Sequence, residues 1–232
     1  MYPQKNVEEQ IIVYKNQYHW GGKNRCENQI QIHLRMQKII LASQSPRRKQ
    51  LLEWAEIPFE IIIKSTDESY PAELEAEEVP IYIARQKAIE AKKYIDEKIN
   101  GPDNDKTIIA ADTIVVLDAR IIGKPQNRED AIDILTALSG RTHRVITGVV
   151  LMHAEREISF SDITSVEFHP LTAAQIAYYV DNYKPYDKAG AYAIQEWIGV
   201  TGIKSVAGDF YNVMGLPVSR VVQELSRLNQ DK

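Results

Sequence analysis

The sequence predicts an α/β fold with a mixed β-sheet, in which parallel strand-helix units come first and a hairpin follows. Strand and helix patterns alternate from about residue 36 onward, as they do where parallel strands are joined by helices. Residues 107–117 form a near-continuous apolar run, which is typical of a strand buried on both faces. Two strand patterns then follow each other directly, over about 143–152 and 158–168, and indicate an antiparallel hairpin.

The predicted elements begin with a strand over 38–43, a turn, and a helix opened by Ser45 and Pro46. Pro58 ends this helix, because the residue before a proline avoids helical geometry. The later elements are a strand over 59–63, an acidic loop to Glu78, a helix from Pro80 to about Lys98, the apolar strand, a helix over 128–138 capped by Asn127, the hairpin, a helix from Thr172 to about Asn182, and short strands before a helix opened by Pro217.

The composition excludes several classes of protein. The chain has 232 residues, 44% hydrophobic and 26% charged, as in an ordinary globular protein. Its net charge of −4 argues against general nucleic-acid binding, which favours a basic excess. No apolar run reaches about 18 residues and no secretory signal pattern is present. Cys26 is the single cysteine, so no intramolecular disulfide forms, and we expect a cytoplasmic protein without membrane or nucleic-acid partners.

Residues 1–35 differ from the rest of the chain. They contain Gly21-Gly22, scattered Asn and Gln, and no clean hydrophobic period. We therefore expect a poorly ordered N-terminal extension over 1–35 and one folded domain over 36–232. A short docked N-terminal element is the alternative.

The segment from Ser43 to Arg48 is the first candidate site. If Pro46 opens a helix, Arg47 and Arg48 lie in its first turn, where the helix dipole is already positive. Free backbone N–H groups, the hydroxyls of Ser43 and Ser45 and two guanidinium groups together favour a phosphate. The alternative is that both arginines point into water.

Asp112 interrupts the apolar strand over 107–117. A buried carboxylate is costly unless it is paired, hydrogen-bonded or bound to a metal. The residue is therefore a candidate catalytic or metal-binding group, and a structural ion pair is the alternative.

Isolated charges elsewhere complete the candidate set. Lys87 and Lys124 are candidate phosphate contacts, although a solvated side chain is the commoner role for a lone lysine. Asp67 and Glu68 follow the second strand, so they are candidates to hold a hydrated Mg²⁺ together with substrate phosphates. A solvated acidic loop is the alternative.

Standard motifs of other enzyme classes are missing from the sequence. It has no P-loop, GxGxxG, GxSxG or HExxH pattern, which disfavours P-loop NTPases, dinucleotide enzymes, α/β-hydrolases and zincins. His143, His153 and His169 show no catalytic spacing, and we interpret them as ordinary strand or surface histidines.

Taken in order, the chemical motifs resemble those of the Maf family of nucleoside triphosphate pyrophosphatases over about 190 residues. Each motif is weak alone, and their order makes the resemblance specific. The matching segments are Leu41-Ala-Ser-Gln-Ser-Pro-Arg-Arg48, Ala84-Arg-Gln-Lys-Ala88, Ala111-Asp-Thr113, Lys124-Pro125, Ser139-Gly-Arg-Thr-His143, Thr164-Ser-Val-Glu-Phe168, Asp187-Lys-Ala-Gly-Ala-Tyr-Ala-Ile-Gln195 and Gly208-Asp-Phe-Tyr-Asn-Val-Met-Gly-Leu-Pro217.

The resemblance implies a role for each matching residue. Asp112 corresponds to the catalytic proton acceptor. Glu68 corresponds to an acidic residue beside the metal, and Asp112 also contacts the metal. The phosphate-handling cations correspond to Arg47, Arg48, Lys87 and Lys124, and the base-selecting positions to Arg47, Thr113 and Gln195.

The resemblance also implies an activity: metal-dependent hydrolysis of dTTP and UTP, and of modified pyrimidine nucleotides, between the α and β phosphates. The metal is Mg²⁺ or Mn²⁺, the partner is the nucleoside triphosphate, and the family is often homodimeric. The fold that the resemblance implies is a two-lobed α/β structure, with flanking helices around a long mixed β-sheet. Two alternatives stay open at this point. One is a nucleotide-binding regulator of cell division without significant catalysis, and the other is a pyrophosphatase of other non-canonical nucleotides.

Overall fold

A computed structural model describes residues 39–98 and 106–230 of the chain, and the predicted extension over 1–35 lies outside them. The described residues form the predicted α/β architecture, a mixed sheet with helices on both faces. The predicted boundary at residue 36 also lies outside the described part and stays a prediction.

The sheet has seven strands in the described residues. Their spatial order is β2-β1-β3-β5-β6-β7, with β4 paired to the end of β3. β1 is parallel to β2 and β3, and the remaining pairs are antiparallel. The strands are β1 (Ile39–Leu41), β2 (Phe59–Ile61), β3 (Thr107–Leu117), β4 (Arg120–Ile122), β5 (Thr142–His153), β6 (Arg156–Phe168) and β7 (Ile203–Ala207).

The helices mostly follow their predicted signals. The Asn127 side chain caps the third helix and the Thr172 side chain caps the fourth, as expected from residues that accept backbone N–H bonds. The helices are α1 (Pro46–Trp54), α2 (Val79–Lys98), α3 (Arg128–Leu138), α4 (Ala173–Tyr183), α5 (Trp197–Gly202), α6 (Phe210–Met214) and α7 (Val218–Gln230), with a 3₁₀ turn at Ala189–Ala191.

The structure corrects the ends of the first two strands and adds elements. β1 ends at Leu41 rather than at residue 43, because the chain turns there into α1 and the Ser43 hydroxyl accepts the Ser45 N–H. β2 ends at Ile61 rather than at residue 63, and the following residues line a cleft. β4, α5 and α6 were not predicted, since each is too short to show a period.

β3 separates the larger apolar core of the domain from two smaller apolar clusters on its other face. Its residues Ile109, Ala111 and Val115 face the larger core, whereas Ile108 and Ala110 face α2, as the twofold period of a strand requires. Asp112 falls on the α2 face, and the apolar residues on that face form separate clusters before and after it.

Helix α2 lies close to the sheet beside Asp112. Gly148 of β5 pairs with Asp112 in the sheet register. A Cβ atom at Gly148 would lie 2.3 Å from the backbone of Pro80 and Ile81. Only glycine therefore permits this approach, which brings the side chains of α2 over the middle of β3.

Candidate functional site

A cleft of about 430 Å³ opens where β1 and β2 end beside the longer β3. Leu41 of β1 pairs with Ile109, so β3 continues past its neighbour and exposes Asp112 and Thr113 to the cleft. Six cationic and three anionic side chains line it, and they make it locally positive in a chain of net charge −4. These side chains are Arg47, Arg48, Lys64, Lys87, Lys124, Lys188, Glu68, Asp112 and Asp187.

Arg48 is a buried cation fixed at one wall of the cleft. Its Nε donates to the Gly215 carbonyl at 2.7 Å, Nη1 to Ser43 Oγ at 3.1 Å and Nη2 to Thr113 Oγ1 at 2.9 Å. Burial lowers the pKa of the guanidinium and the charge of Asp112 opposes this effect. The alternative in which Arg48 points into water is therefore wrong. Two of its five N–H groups have no hydrogen-bond acceptor among the described residues.

A chain of alternating charges crosses the cleft. Lys87 Nζ of α2 contacts Asp112 Oδ1 at 2.7 Å and Glu68 Oε1 at 2.9 Å. The other oxygen of Glu68 contacts Lys124 Nζ at 3.2 Å. Lys87 and Asp112 are largely buried, with 15% and 14% of their side chains exposed, so the solvated role considered for Lys87 is wrong. The ion pair considered as an alternative for Asp112 is present, and it lies within the cleft.

Glu68 is ionised in this arrangement. Its partial burial favours the neutral form, but the hydrogen bonds and charges of Lys87 and Lys124 hold the pKa of its carboxyl below the usual 4.5. Because the folded-state pKa is depressed, Glu68 stabilises the fold above about pH 4.5, and this contribution is lost as the pH falls through the folded-state pKa.

A second chain of alternating charges also lines the cleft. Arg47 Nη1 contacts Asp187 Oδ2 at 3.3 Å, and Lys188 Nζ contacts Asp187 Oδ1 at 2.7 Å. Lys188 is buried and also lies 3.6 Å from Glu196, whose other oxygen accepts the Tyr179 hydroxyl. The sequence indicated Asp187 and Lys188 only as part of a family motif, without a role for either residue. The Asp-Lys pair after Tyr186 carried no signal that it would face a cleft.

The cleft brings together all but two of the candidate site residues singled out from the sequence, the exceptions being Asp67 and Gln195. Asp67 is exposed and accepts from the backbone N–H and the hydroxyl of Ser69. Gln195 is exposed and does not line the cleft, although Ala193, two residues earlier, does. The residues that line it are Ser43, Ser45, Arg47, Arg48, Glu68, Lys87, Asp112, Thr113 and Lys124.

A buried histidine supports the floor of the cleft. His143 Nε2 lies 2.7 Å from the hydroxyl of Tyr192, which lines the cleft, and its ring stacks on Phe168. Its Nδ1 has no hydrogen-bond partner in the described part of the chain. Burial lowers the pKa of His143 from 6.5 to about 4, so the ring is neutral in the folded protein at neutral pH.

We predict that His143 makes folding stability depend on pH between about 6.5 and 4. In this window the unfolded chain binds a proton at His143 and the folded chain does not, so stability falls as the pH falls. The slope is about 1.4 kcal/mol per pH unit for one proton. His143→Gln removes this contribution to the dependence of the unfolding free energy, measured with urea, on pH. His169→Gln, at an exposed histidine, is the matched control and retains the contribution of His143. An unchanged slope in His143→Gln contradicts the assignment.

The carboxylates of the cleft suit a metal ion whose remaining ligands come from the substrate. No group of three or more His, Cys, Asp or Glu side chains that could hold a metal occurs within residues 39–98 and 106–230. Glu68 and Asp112 both contact Lys87 Nζ, so their oxygens are neighbours. Mg²⁺ commonly binds through one or two carboxylates together with substrate phosphates, and these two residues match that pattern.

No helix among the described residues has the length and apolar character needed to cross a membrane.

Comparison with known proteins identifies relatives over most of the chain. A dTTP/UTP pyrophosphatase of Cytophaga hutchinsonii is 51% identical over 196 residues, which cover 84% of this chain and 86% of that protein. A dTTP/UTP pyrophosphatase of Phocaeicola vulgatus is 48% identical, over 84% of this chain and 98% of that protein. Among solved structures, the Staphylococcus aureus Ham1 protein is 16% identical and has a TM-score of 0.37, over 57% of this chain and 72% of that chain.

The family comparison covers the part of the chain that builds the cleft. The family described as "Maf-like protein" matches residues 38–228, which include every residue of the cleft. This match spans well over half of the 232 residues. The chain therefore belongs to the family of Maf-like proteins.

Proposed function

We propose that this protein hydrolyses dTTP and UTP between the α and β phosphates, to give the nucleoside monophosphate and pyrophosphate. One observation carries the proposal: a single cleft holds a carboxylate, Asp112, among the cations that a triphosphate needs. The names of the relatives, dTTP/UTP pyrophosphatase at 47–51% identity, support the same substrates.

The phosphates bind to the cations in this proposal. A nucleoside triphosphate carries about four negative charges, which fixed donors and cations offset. Arg47 and Arg48 at the start of α1 and Lys124 across the cleft hold the phosphates. Ser43 Oγ accepts bonds from Ser45 N and Arg48 Nη1, so its own hydrogen is available to a phosphate oxygen, and Ser45 Oγ caps the helix.

Asp112 acts as the proton acceptor. Its Oδ1 is bound by Lys87, whereas Oδ2 has no hydrogen-bond partner among the residues that the structure describes. Oδ2 orients a water molecule and accepts a proton as the water oxygen attacks the α-phosphorus. The bond from the α-phosphorus to the bridging oxygen breaks, and pyrophosphate leaves with its charge held by the cations.

A divalent metal, Mg²⁺ or Mn²⁺, belongs to this proposal, held by Glu68, Asp112 and the substrate phosphates. When bound, it supplies positive charge that polarises the phosphoryl oxygens.

Base selection is assigned to Arg47, Thr113 and Gln195. Gln195 offers a donor and an acceptor, as a uracil or thymine edge requires. We expect Gln195→Glu to change the ratio of kcat/KM for dTTP to that for CTP, and to leave hydrolysis of the phosphate chain itself intact. Gln175→Glu, at the capping box of α4, is the matched control and leaves the ratio unchanged. Equal ratios in the Gln195 variant and wild type remove Gln195 from base selection.

A nucleotide panel with product analysis tests the function. We expect dTTP and UTP to be hydrolysed fastest, with a monophosphate and pyrophosphate as products in the presence of Mg²⁺ or Mn²⁺. If modified pyrimidine or purine nucleotides are hydrolysed faster, they replace dTTP and UTP as the proposed substrates. Tight dTTP binding without turnover under either metal favours the nucleotide-binding regulator.

Homodimer formation and a cytoplasmic location stay predictions.

A further inference from the structure

Arg48 is connected to a row of hydroxyl groups that begins at the cleft, with Thr113, and leads into the interior of the protein. Its Nη2 contacts Thr113 Oγ1 at 2.9 Å, and Thr113 Oγ1 lies 2.9 Å from Thr147 Oγ1. Thr147 Oγ1 lies 3.0 Å from the backbone carbonyl of Asn212. Thr147 and Asn212 are completely buried, so no water competes for the bond between them.

The chemistry of the two ends fixes the direction of every hydrogen. A carbonyl oxygen only accepts, so the single hydroxyl hydrogen of Thr147 points to Asn212. Thr147 must then accept from Thr113, whose own hydrogen is thereby used. A guanidinium only donates, so the oxygen of Thr113 accepts from Arg48. Thr113 consequently has no hydrogen to offer to a substrate, in contrast to Ser43.

The far end of this row is held rigidly. Both amide hydrogens of Asn212 are used, by the Val145 carbonyl at 3.1 Å and Thr164 Oγ1 at 2.9 Å. The N–H of Gly215 also bonds the Asn212 carbonyl, and the Gly215 carbonyl accepts from Arg48 Nε. The C-terminal end of α6 therefore holds Arg48 directly at one nitrogen and through two threonines at another.

We propose that Thr147 and Asn212 are positioning residues, which orient the guanidinium of Arg48 toward the phosphates through a one-way hydroxyl relay. The relay consists of Thr113, Thr147 and the Asn212 carbonyl. The phosphate role of Arg48 rests on the proposed function. In this scheme Thr113 donates no hydrogen bond to the base, so its part in base selection is exerted through Arg48.

Pyrophosphate binding, measured by calorimetry, tests the relay independently of turnover. Thr147→Val keeps the shape of the side chain and removes the hydroxyl, so Thr113 loses its acceptor and Arg48 loses a fixed partner. We expect pyrophosphate affinity to fall about tenfold, the loss of roughly one charge-assisted hydrogen bond. Thr147→Ser retains affinity within about twofold of wild type. Thr107→Val, which removes a buried hydroxyl at the far end of β3, leaves the affinity unchanged.

Unchanged affinity in Thr147→Val overturns the proposal, as does an equal loss in Thr147→Ser or Thr107→Val. Failure of the wild type to bind pyrophosphate overturns it as well. A wild type that binds pyrophosphate in this pattern but does not hydrolyse dTTP overturns the proposed function and supports the relay.

A second measurement needs neither ligand nor variant. NMR of the wild-type protein is expected to show a slowly exchanging hydroxyl proton on Thr113 with a contact to Thr147. A Thr113 hydroxyl proton that exchanges freely with water overturns the relay, and this result holds even if Thr147→Val does not fold.

Discussion

Asp112→Asn is expected to lower kcat for dTTP by between about a hundredfold and ten-thousandfold, the usual contribution of a general base. The amide has nearly the same shape, but its nitrogen replaces one carboxylate oxygen and cannot accept a proton from water. Lys87 keeps its contact with Glu68, so the cations of the cleft stay in place. We therefore expect dTTP still to bind, with reduced affinity, as measured by calorimetry beside steady-state kinetics.

The matched control is Asp118→Asn, the same chemical change six residues later. Asp118 is exposed, pairs with Arg141 at 2.7 Å and lies outside the cleft. Its conformation, with φ at 54°, also suits asparagine. This control is expected to hydrolyse dTTP at the wild-type rate, and wild-type turnover in Asp112→Asn excludes Asp112 as the proton acceptor.

Arg48→Lys is expected to raise KM for dTTP on the order of a hundredfold, which corresponds to about 2.7 kcal/mol. A lysine keeps the charge but cannot reach Gly215, Ser43 and Thr113 together with a planar set of donors. Because buried acceptors are left unpaired, we also expect the free energy of unfolding to fall by about 2–4 kcal/mol. Urea unfolding and steady-state kinetics measure the two effects.

Arg85→Lys is the matched control, because it makes the same exchange at an arginine outside the cleft. Arg85 lies on α2, is partly exposed and pairs with Glu157 at 2.8 Å at the surface. Exposed ion pairs contribute little, so both KM and stability are expected to stay near wild type. A similar KM in Arg48→Lys and wild type contradicts the role of Arg48 at the phosphates.

Local patterns predicted most of the fold. The apolar run over 107–117 is β3 with the same bounds, because burial on both faces leaves a continuous signal. The capping signals at Asn127 and Thr172 likewise place α3 and α4 correctly. The hairpin was predicted with strands shorter than observed, since its turn spans only two residues between His153 and Arg156.

The site was only partly predictable, because its key contacts join distant parts of the chain. The sequence indicated Asp112 and Lys87 separately, but their ion pair depends on the packing of α2 against β3, which Gly148 permits. Thr147 gave no signal, since only the register between β3 and β5 places it opposite Thr113.

Isotope analysis of dTTP hydrolysis in ¹⁸O-labelled water tests the central claim most directly. Attack of water on the α-phosphorus places the label in dTMP and leaves pyrophosphate unlabelled, and this is the result we predict. Label in pyrophosphate, or formation of dTDP and orthophosphate, contradicts the assignment of Asp112 and the cations of this cleft to cleavage at the α-phosphorus.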